Sequence, residues 1–224
     1  MKAVDLRLYG LVDPARSRLA DLAEAARRAV GGGATLIQYR DKTAETRPFV
    51  ERARAIRAAL EGSGVPLLIN DRVDVALAAG ADGVHLGQKD MTVEDARRLL
   101  GPDAIVGLTI KSELHADEAP YPLLDYVCIG GVFATASKDN PDPPVGLDGL
   151  ERLVRRTREH SMTIPTGAIA GIDAGNAASV IGRGADGVAV ISEVFMADDI
   201  AAAARGLRDI VDGALAARAG EAGR

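Results

Sequence analysis

The sequence contains no tryptophan, and aromatic residues make up only 3 % of its 224 residues. Hydrophobic residues nevertheless make up 47 % of the chain, so the core must consist mainly of alanine, valine, leucine and isoleucine. Such residues are typical of a parallel sheet that is buried on both faces. The composition therefore favours a soluble α/β protein with a sizeable core.

Cysteine is also scarce, since Cys128 is the single cysteine of the chain. One thiol excludes a disulfide framework and a CxxC zinc site, and its place in the apolar run 126–129 predicts a small core residue. No apolar run reaches the roughly 20 residues of a membrane-spanning helix, and the N-terminus shows no signal-peptide segment. We therefore expect a protein of the reducing cytoplasm.

The net charge is −5 and the isoelectric point about 5.3, with acidic and basic residues interspersed. This pattern argues against a nucleic-acid-binding surface. We expect small-molecule substrates and neither nucleic acid nor a membrane as partner, and we leave a homo-oligomer open.

Apolar strand-like segments alternate with helix-like segments along the chain. The predicted strands are 6–12, 36–40, 66–70, 83–86, 105–108, 126–129, 166–169 and 187–191. The predicted helices are 19–30, 47–60, 73–79, 93–100, 114–119, 149–160, 176–181 and 199–217. Such alternation implies a parallel sheet, and eight units predict a single (β/α)8 TIM barrel at 1–219, followed by a frayed tail at 220–224. The alternative is an open doubly wound sheet, but residues 10–14 lack its dinucleotide-binding fingerprint.

A short motif recurs before several predicted strands. Residues 80–84 read Gly-Ala-Asp-Gly-Val and recur at 184–188, and residues 33–36 are a weaker copy. All three copies lie between a helix and the next strand, which is the N-terminal face of a barrel. Because Gly suits a helix C-cap and Asp a tight turn, we interpret Asp82 and Asp186 as structural residues.

Two carboxylates follow neighbouring predicted strands. Asp71 comes directly after the strand that ends at Asn70, and Asp90 lies just beyond the next strand. Asp71 alone could be a helix N-cap, whereas the pair could hold Mg²⁺, which prefers one or two carboxylates with waters and phosphate oxygens. The pairing favours a magnesium site that binds a phosphate. His85, between apolar neighbours, is predicted to be a hydrogen-bonded interior residue.

Basic residues follow the second strand. Alternation places Gln38, Arg40 and Lys42 on one side of the chain and Tyr39 and Asp41 on the other. Arginine and lysine at the mouth of a barrel can bind a phosphate, although a solvated charged loop is the alternative.

Two anion sites are predicted in the mouth. One is formed by Arg40, Lys42, Lys138 and a metal on Asp71 and Asp90, and the other by backbone N–H groups at Gly171, Ile191 and Ser192. Hydroxyl and amino groups lie at Thr135, Ser137 and Lys138, before a proline-rich stretch that is either a connector or a lid. Gly171 follows the seventh strand, and residues 191–192 end the eighth, where barrels often bind phosphate through backbone N–H groups. Two anion sites imply two phosphorylated substrates or one bisphosphate, and no acid–base pair stands out.

The sequence resembles the thiamine-phosphate synthase family. The matching segments are 38–42 (Gln-Tyr-Arg-Asp-Lys), 69–74 (Ile-Asn-Asp-Arg-Val-Asp), 80–88, 125–138, 146–150 and 184–192. The resemblance covers nearly the whole chain and implies a TIM-barrel transferase of thiamine biosynthesis. Such an enzyme joins hydroxymethylpyrimidine pyrophosphate to a thiazole phosphate or its carboxylate, with Mg²⁺, by a dissociative reaction that releases pyrophosphate.

The resemblance also implies roles for individual residues. The substrate-binding residues would be Gln38, Tyr39, Arg40, Asp41, Lys42, Asn70, Thr109, Thr135, Ala136, Ser137, Lys138, Gly171, Ile191 and Ser192. Catalytic roles on the pyrimidine pyrophosphate would belong to Arg40, Lys42, Thr109 and Lys138. The thiazole phosphate would bind to Thr135, Ser137, Gly171, Ile191 and Ser192. Asp71 and Asp90 would hold Mg²⁺.

Several positions depart from the usual pattern of the family. Gly131 and Ala134 stand where proline is usual, Ala170 stands where glycine is commoner, and Thr109 replaces a commoner serine. These changes bear on substrate affinity more than on the reaction. Two rivals are a thiazole tautomerase of the same superfamily, which would not need both carboxylates and Lys138, and a thiazole-phosphate-binding barrel without turnover.

Overall fold

Eight parallel strands form a closed barrel in which β8 pairs with β1. The computed structural model describes residues 4–135 and 143–222, with side chains described as far as residue 220. The strands are β1 Leu8–Val12, β2 Leu36–Tyr39, β3 Leu67–Asn70, β4 Gly83–Leu86, β5 Ile105–Ile110, β6 Tyr126–Gly130, β7 Thr166–Ile169 and β8 Gly187–Val190. The closed order confirms the predicted TIM barrel and excludes the open sheet.

Helices follow the strands as predicted, with small differences at their ends. They are α1 Leu22–Gly31, α2 Thr46–Ala59, α3 Val73–Ala79, α4 Val93–Leu100, α5 Glu113–Glu118, α6 Gly146–His160, α7 Ala177–Gly182, α8 Ser192–Phe195 and α9 Ile200–Ala222. The short helix α8 and two 3-10 turns, Pro14–Arg16 and Tyr121–Leu123, were not predicted. The tail predicted from residue 220 is helical as far as Ala222, and residues 223–224 lie outside the described part of the chain.

The buried residues form two layers. The larger layer lies between strands and helices, and the smaller one fills the inside of the barrel, where Tyr9, Leu36, Leu68 and Tyr126 meet. Cys128 belongs to the inner layer and is 1 % exposed, which confirms it as a core residue.

Polar side chains before the even-numbered strands close the N-terminal face of the barrel. Each accepts a hydrogen bond from a backbone N–H of the preceding odd-numbered strand. The pairs are Thr35 with Leu8 (3.1 Å), Asp82 with Leu67 (2.9 Å), Asp125 with Val106 (2.9 Å) and Asp186 with Thr166 (3.0 Å). These bonds explain the repeated sequence motif and confirm that Asp82 and Asp186 are structural.

Candidate active site

The carboxyl groups of Asp71 and Asp90 lie close enough beyond the C-terminal ends of β3 and β4 for Asp71 to raise the pKa of Asp90. The backbone N–H of Asp71 donates to the carbonyl of His85 on β4 (2.9 Å), and Asp90 accepts from the N–H of Gly87 (2.7 Å). Asp71 has a φ of +61°, in the left-handed region that residues other than glycine rarely adopt, although aspartate tolerates it better than most. Such strain often marks a functional position, and here it accompanies the predicted convergence of two acids.

The electrostatics of this pair suit a divalent cation. The pKa of Asp90 is raised above its usual value, first because neighbouring protein reduces its hydration and then because the Asp71 carboxyl lies against it. Lys42 forms an ion pair with Asp71 and so offsets part of the negative charge. Among the described residues, no group of three or more His, Cys, Asp or Glu side chains could hold a metal. Two oxygen ligands, completed by water and phosphate, are a fit for Mg²⁺.

Arg40 is anchored by a residue that sequence reasoning missed. Its guanidinium forms an ion pair with the buried Asp13, and their side chains are 12 % and 3 % exposed. Asp13 also accepts a hydrogen bond from the N–H of Ala15 (2.9 Å) and so fixes the turn after β1. The signal was available, because Asp13 directly follows a strand just as Asp71 does.

Gln38 and Thr109 lie inside the mouth of the barrel. Gln38 is 1 % exposed, and its Oε1 has no hydrogen-bond partner within residues 4–135 and 143–220. Thr109 is 7 % exposed, and its hydroxyl is hydrogen-bonded to Nε2 of His85 (2.8 Å). His85 is thus the hydrogen-bonded interior residue that was predicted. Asn70 is partly exposed at the end of β3.

The side chains of Tyr39 and Asp41 face away from the mouth, as strand alternation predicted. Tyr39 packs edge-on against Phe49 of α2 and donates to Asp41 (3.2 Å), which also accepts from Arg52 (2.9 Å). Burial raises the pKa of Tyr39 to about 12. Their side chains thus contact α2, and substrate binding by these two residues stays a prediction.

A cavity of about 300 Å³ opens between the ends of β7 and β8. It gathers four predicted phosphate-binding residues, namely Thr135, Gly171, Ile191 and Ser192. Gly171 has a φ of +65°, and a Cβ there would lie 2.5 Å from the carbonyl oxygen of Ala134, so only glycine fits. Asp173 and Glu193 also line this cavity and were not predicted. The predicted residues Ala136, Ser137 and Lys138 lie outside the described part of the chain.

Comparison with known proteins agrees with this geometry. The sequence profile of the family described as thiamine monophosphate synthase (TMP-TENI) matches residues 8–194. The chain belongs to this family. Its relatives include the thiamine-phosphate synthase of Agrobacterium fabrum, which is 54 % identical over 218 residues, or 97 % of this chain and 99 % of the relative. The thiamine-phosphate synthase of Chloroflexus aurantiacus is 47 % identical over 93 % of this chain and 94 % of its own length.

A solved structure in the same family shares the fold. The thiamine phosphate pyrophosphorylase from Pyrococcus furiosus superposes with a TM-score of 0.82 and 38 % identity, over 95 % of this chain and 98 % of its own. Family membership makes the chain a transferase and confirms the resemblance that the motifs indicated. Within the described residues, no helix has both the length and the apolar character that are needed to cross a membrane.

Proposed function

We propose that this chain is a Mg²⁺-dependent thiamine-phosphate synthase. It joins 4-amino-5-hydroxymethyl-2-methylpyrimidine pyrophosphate to a thiazole phosphate, or to its carboxylate with loss of CO2, and releases pyrophosphate. Membership of the family supports the activity. The observation that carries the metal-dependent reaction is the contact between Asp71 and Asp90 beside Lys42, at the end of the barrel where such enzymes act.

The basic residues bind the leaving group. Arg40 is held by Asp13, so it offers a fixed guanidinium to the pyrophosphate, whereas Lys42 is half-exposed and supplies a mobile charge. Asp71 and Asp90 would hold the Mg²⁺ ion, which neutralises negative charge on a departing pyrophosphate when it is bound. Lys138 is proposed to act beside them.

The reaction is dissociative. The bond between the pyrimidine methylene carbon and its oxygen breaks, and both electrons leave with the pyrophosphate. The thiazole nitrogen then supplies an electron pair to the pyrimidine methyl cation. No general base is needed for this chemistry, which agrees with a mouth that is rich in charged groups. Catalysis therefore comes from stabilising the leaving charge and from positioning the nucleophile.

The thiazole phosphate binds in the cavity at the ends of β7 and β8. Its size suits a small anion, and backbone N–H groups near Gly171, Ile191 and Ser192 would donate to the phosphate. Thr135 lines the same cavity, and Ser137 would add a second hydroxyl. A cytoplasmic location is also part of this proposal.

The assay follows pyrophosphate release by the purified chain from both substrates, with and without Mg²⁺. We expect turnover only with a divalent cation, and we expect Asp71→Asn to lower kcat by about 100-fold or more, as for other charge-stabilising groups. The matched control is Asp74→Asn, since Asp74 is an exposed acid of the same region that pairs with Arg72. Pyrophosphate release without any divalent cation would refute the metal site. Interconversion of thiazole tautomers without pyrophosphate release would favour the tautomerase.

A further inference from the structure

Five side chains from five strands form a continuous line of hydrogen bonds across the inside of the barrel, here called the interior relay. Gln38 Nε2 contacts the hydroxyl of Tyr9, which lies 2.8 Å from the hydroxyl of Tyr126. The Tyr126 hydroxyl lies 2.7 Å from Nδ1 of His85, and Nε2 of His85 lies 2.8 Å from the hydroxyl of Thr109. The relay thus joins two proposed substrate-binding residues, Gln38 and Thr109, through three residues that have no assigned role.

The relay is closely packed and buried. All five side chains are buried, and the ring of Tyr126 stacks on His85 and meets Tyr9 edge-on. A Cβ at Gly107 would lie 2.1 Å from the Tyr126 ring, so glycine on β5 makes room for it. Burial raises the pKa of both tyrosines, which therefore remain neutral hydroxyl groups.

The number of protons couples the bonds of the relay, so that they can run in only two directions. If Gln38 Nε2 donates to Tyr9, then Tyr9 donates to Tyr126, and Tyr126 donates to Nδ1 of His85. Nε2 of a neutral His85 then carries the proton and donates to the Thr109 oxygen. The relay therefore ends in an acceptor, Gln38 Oε1, and in a donor, the Thr109 hydroxyl. Reversing one bond requires reversing all of them.

We propose that the interior relay makes the enzyme specific for an aminopyrimidine over its 4-oxo analogue, with Tyr9, Tyr126 and His85 as positioning residues. This inference rests on the proposed function. The substrate amino group is a donor and would satisfy the unpaired Gln38 Oε1, while the Thr109 hydroxyl donates to a ring nitrogen. An oxo group at the same position would place two acceptors together, and a site built around buried polar groups rejects such mismatches strongly.

The first test determines which ring nitrogen of His85 carries the proton, and it does not depend on turnover. The chain has three histidines, so nitrogen-15 NMR of the imidazole rings can be assigned with single His→Gln variants of the other two. We expect a neutral His85 that carries its proton on Nε2. A proton on Nδ1, or on both nitrogens, would overturn the proposed direction of the relay.

The second test measures substrate discrimination. Tyr126→Phe removes one hydroxyl, so the Tyr9 hydroxyl is free to donate to Gln38 instead of to Tyr126. The Gln38 amide can then turn either its oxygen or its nitrogen towards the substrate. We expect the ratio of kcat/KM for the aminopyrimidine pyrophosphate to that for its 4-oxo analogue to fall about tenfold or more, with little change in KM for the thiazole phosphate. The matched control is Tyr121→Phe, another buried tyrosine, whose hydroxyl donates to the Ala116 carbonyl outside the barrel.

The two tests separate the possible failures. Equal loss of activity on both pyrimidines in Tyr126→Phe would mean that the hydroxyl is merely structural, and it would refute the specificity role. A wild-type chain that releases no pyrophosphate would refute the proposed function, while the His85 tautomer would still decide whether the relay has the stated direction. If Tyr126→Phe does not fold, Tyr9→Phe is measured with the same ratio.

Discussion

Replacing Asp90 with asparagine should stabilise the metal-free protein while it removes the metal-dependent activity. In the folded chain the pKa of Asp90 is raised from 3.8 by reduced hydration and by the neighbouring Asp71. The native state therefore binds this proton more tightly than the unfolded state does, so the wild type loses stability as pH rises from about 3.8 through the raised pKa. The asparagine side chain does not titrate, yet its oxygen can still accept from the N–H of Gly87.

The size of the stabilisation expected for Asp90→Asn follows from the repulsion between the two carboxylates. Two unit charges about 4 Å apart repel by about 1 kcal/mol in water and about 4 kcal/mol at the effective dielectric of a protein surface. Because Asp90 is exposed and Lys42 offsets the charge of Asp71, we expect the lower value. For a domain of this size about 1 kcal/mol raises Tm by roughly 2–4 °C.

Thermal unfolding at neutral pH without divalent ions measures the rise in Tm of Asp90→Asn over the wild type. This difference in Tm should become smaller at acid pH. A second scan with Mg²⁺ and pyrophosphate should raise the Tm of the wild type but not that of Asp90→Asn. Asp74→Asn is again the control, because pairing with Arg72 lowers the pKa of Asp74, so its removal should not stabilise. A Tm for metal-free Asp90→Asn at or below the wild-type value would show that the two carboxyls do not repel.

Three further variants separate structural from functional charges. Asp13→Asn leaves the largely buried Arg40 without its ion-pair partner, so urea unfolding should show a loss of about 3 kcal/mol. KM for the pyrimidine pyrophosphate should also rise, and an unchanged KM would argue against the anchoring of Arg40. Asp186→Ala removes the acceptor for Thr166 N–H, and it should cost about 1–3 kcal/mol with kcat unchanged, whereas a lower kcat would contradict its structural role. Ala170→Gly relieves a φ of +85° and should stabilise by about 1 kcal/mol, which a lower unfolding midpoint would refute.

The fold could be predicted because its signals are local. Each strand is a short apolar run and each helix is a separate helix-like segment, so eight strand–helix units predicted the barrel. They also predicted that Asp82 would lie at its N-terminal face. The helix ends were predicted less accurately, since Gly146 starts α6 three residues before the predicted position. The short helix α8 has only four residues and therefore no periodicity to detect.

The site could be predicted only where a motif or a strand end marked it. Asp71 and Asp90 were found because each follows a strand, and the structure brings their carboxyls together. The link from Gln38 through Tyr9 to Tyr126 was not found, because these residues are far apart in sequence and meet only when the barrel closes. A closed barrel thus creates contacts between strands that no local pattern encodes.

Aspartates at the two ends of this barrel show how the fold separates stability from chemistry. The Asp82 carboxylate accepts a hydrogen bond from the backbone N–H of Leu67 on β3, so it stabilises the fold. Asp71 instead has a strained backbone and lies against another carboxyl, an arrangement that the folded chain alone does not favour. Backbone strain persists where the surrounding structure enforces it, and it clusters at functional sites. Aspartates before a strand, at the N-terminal face of the barrel, therefore have structural roles here, whereas those after a strand, at the C-terminal face, are candidates for chemistry.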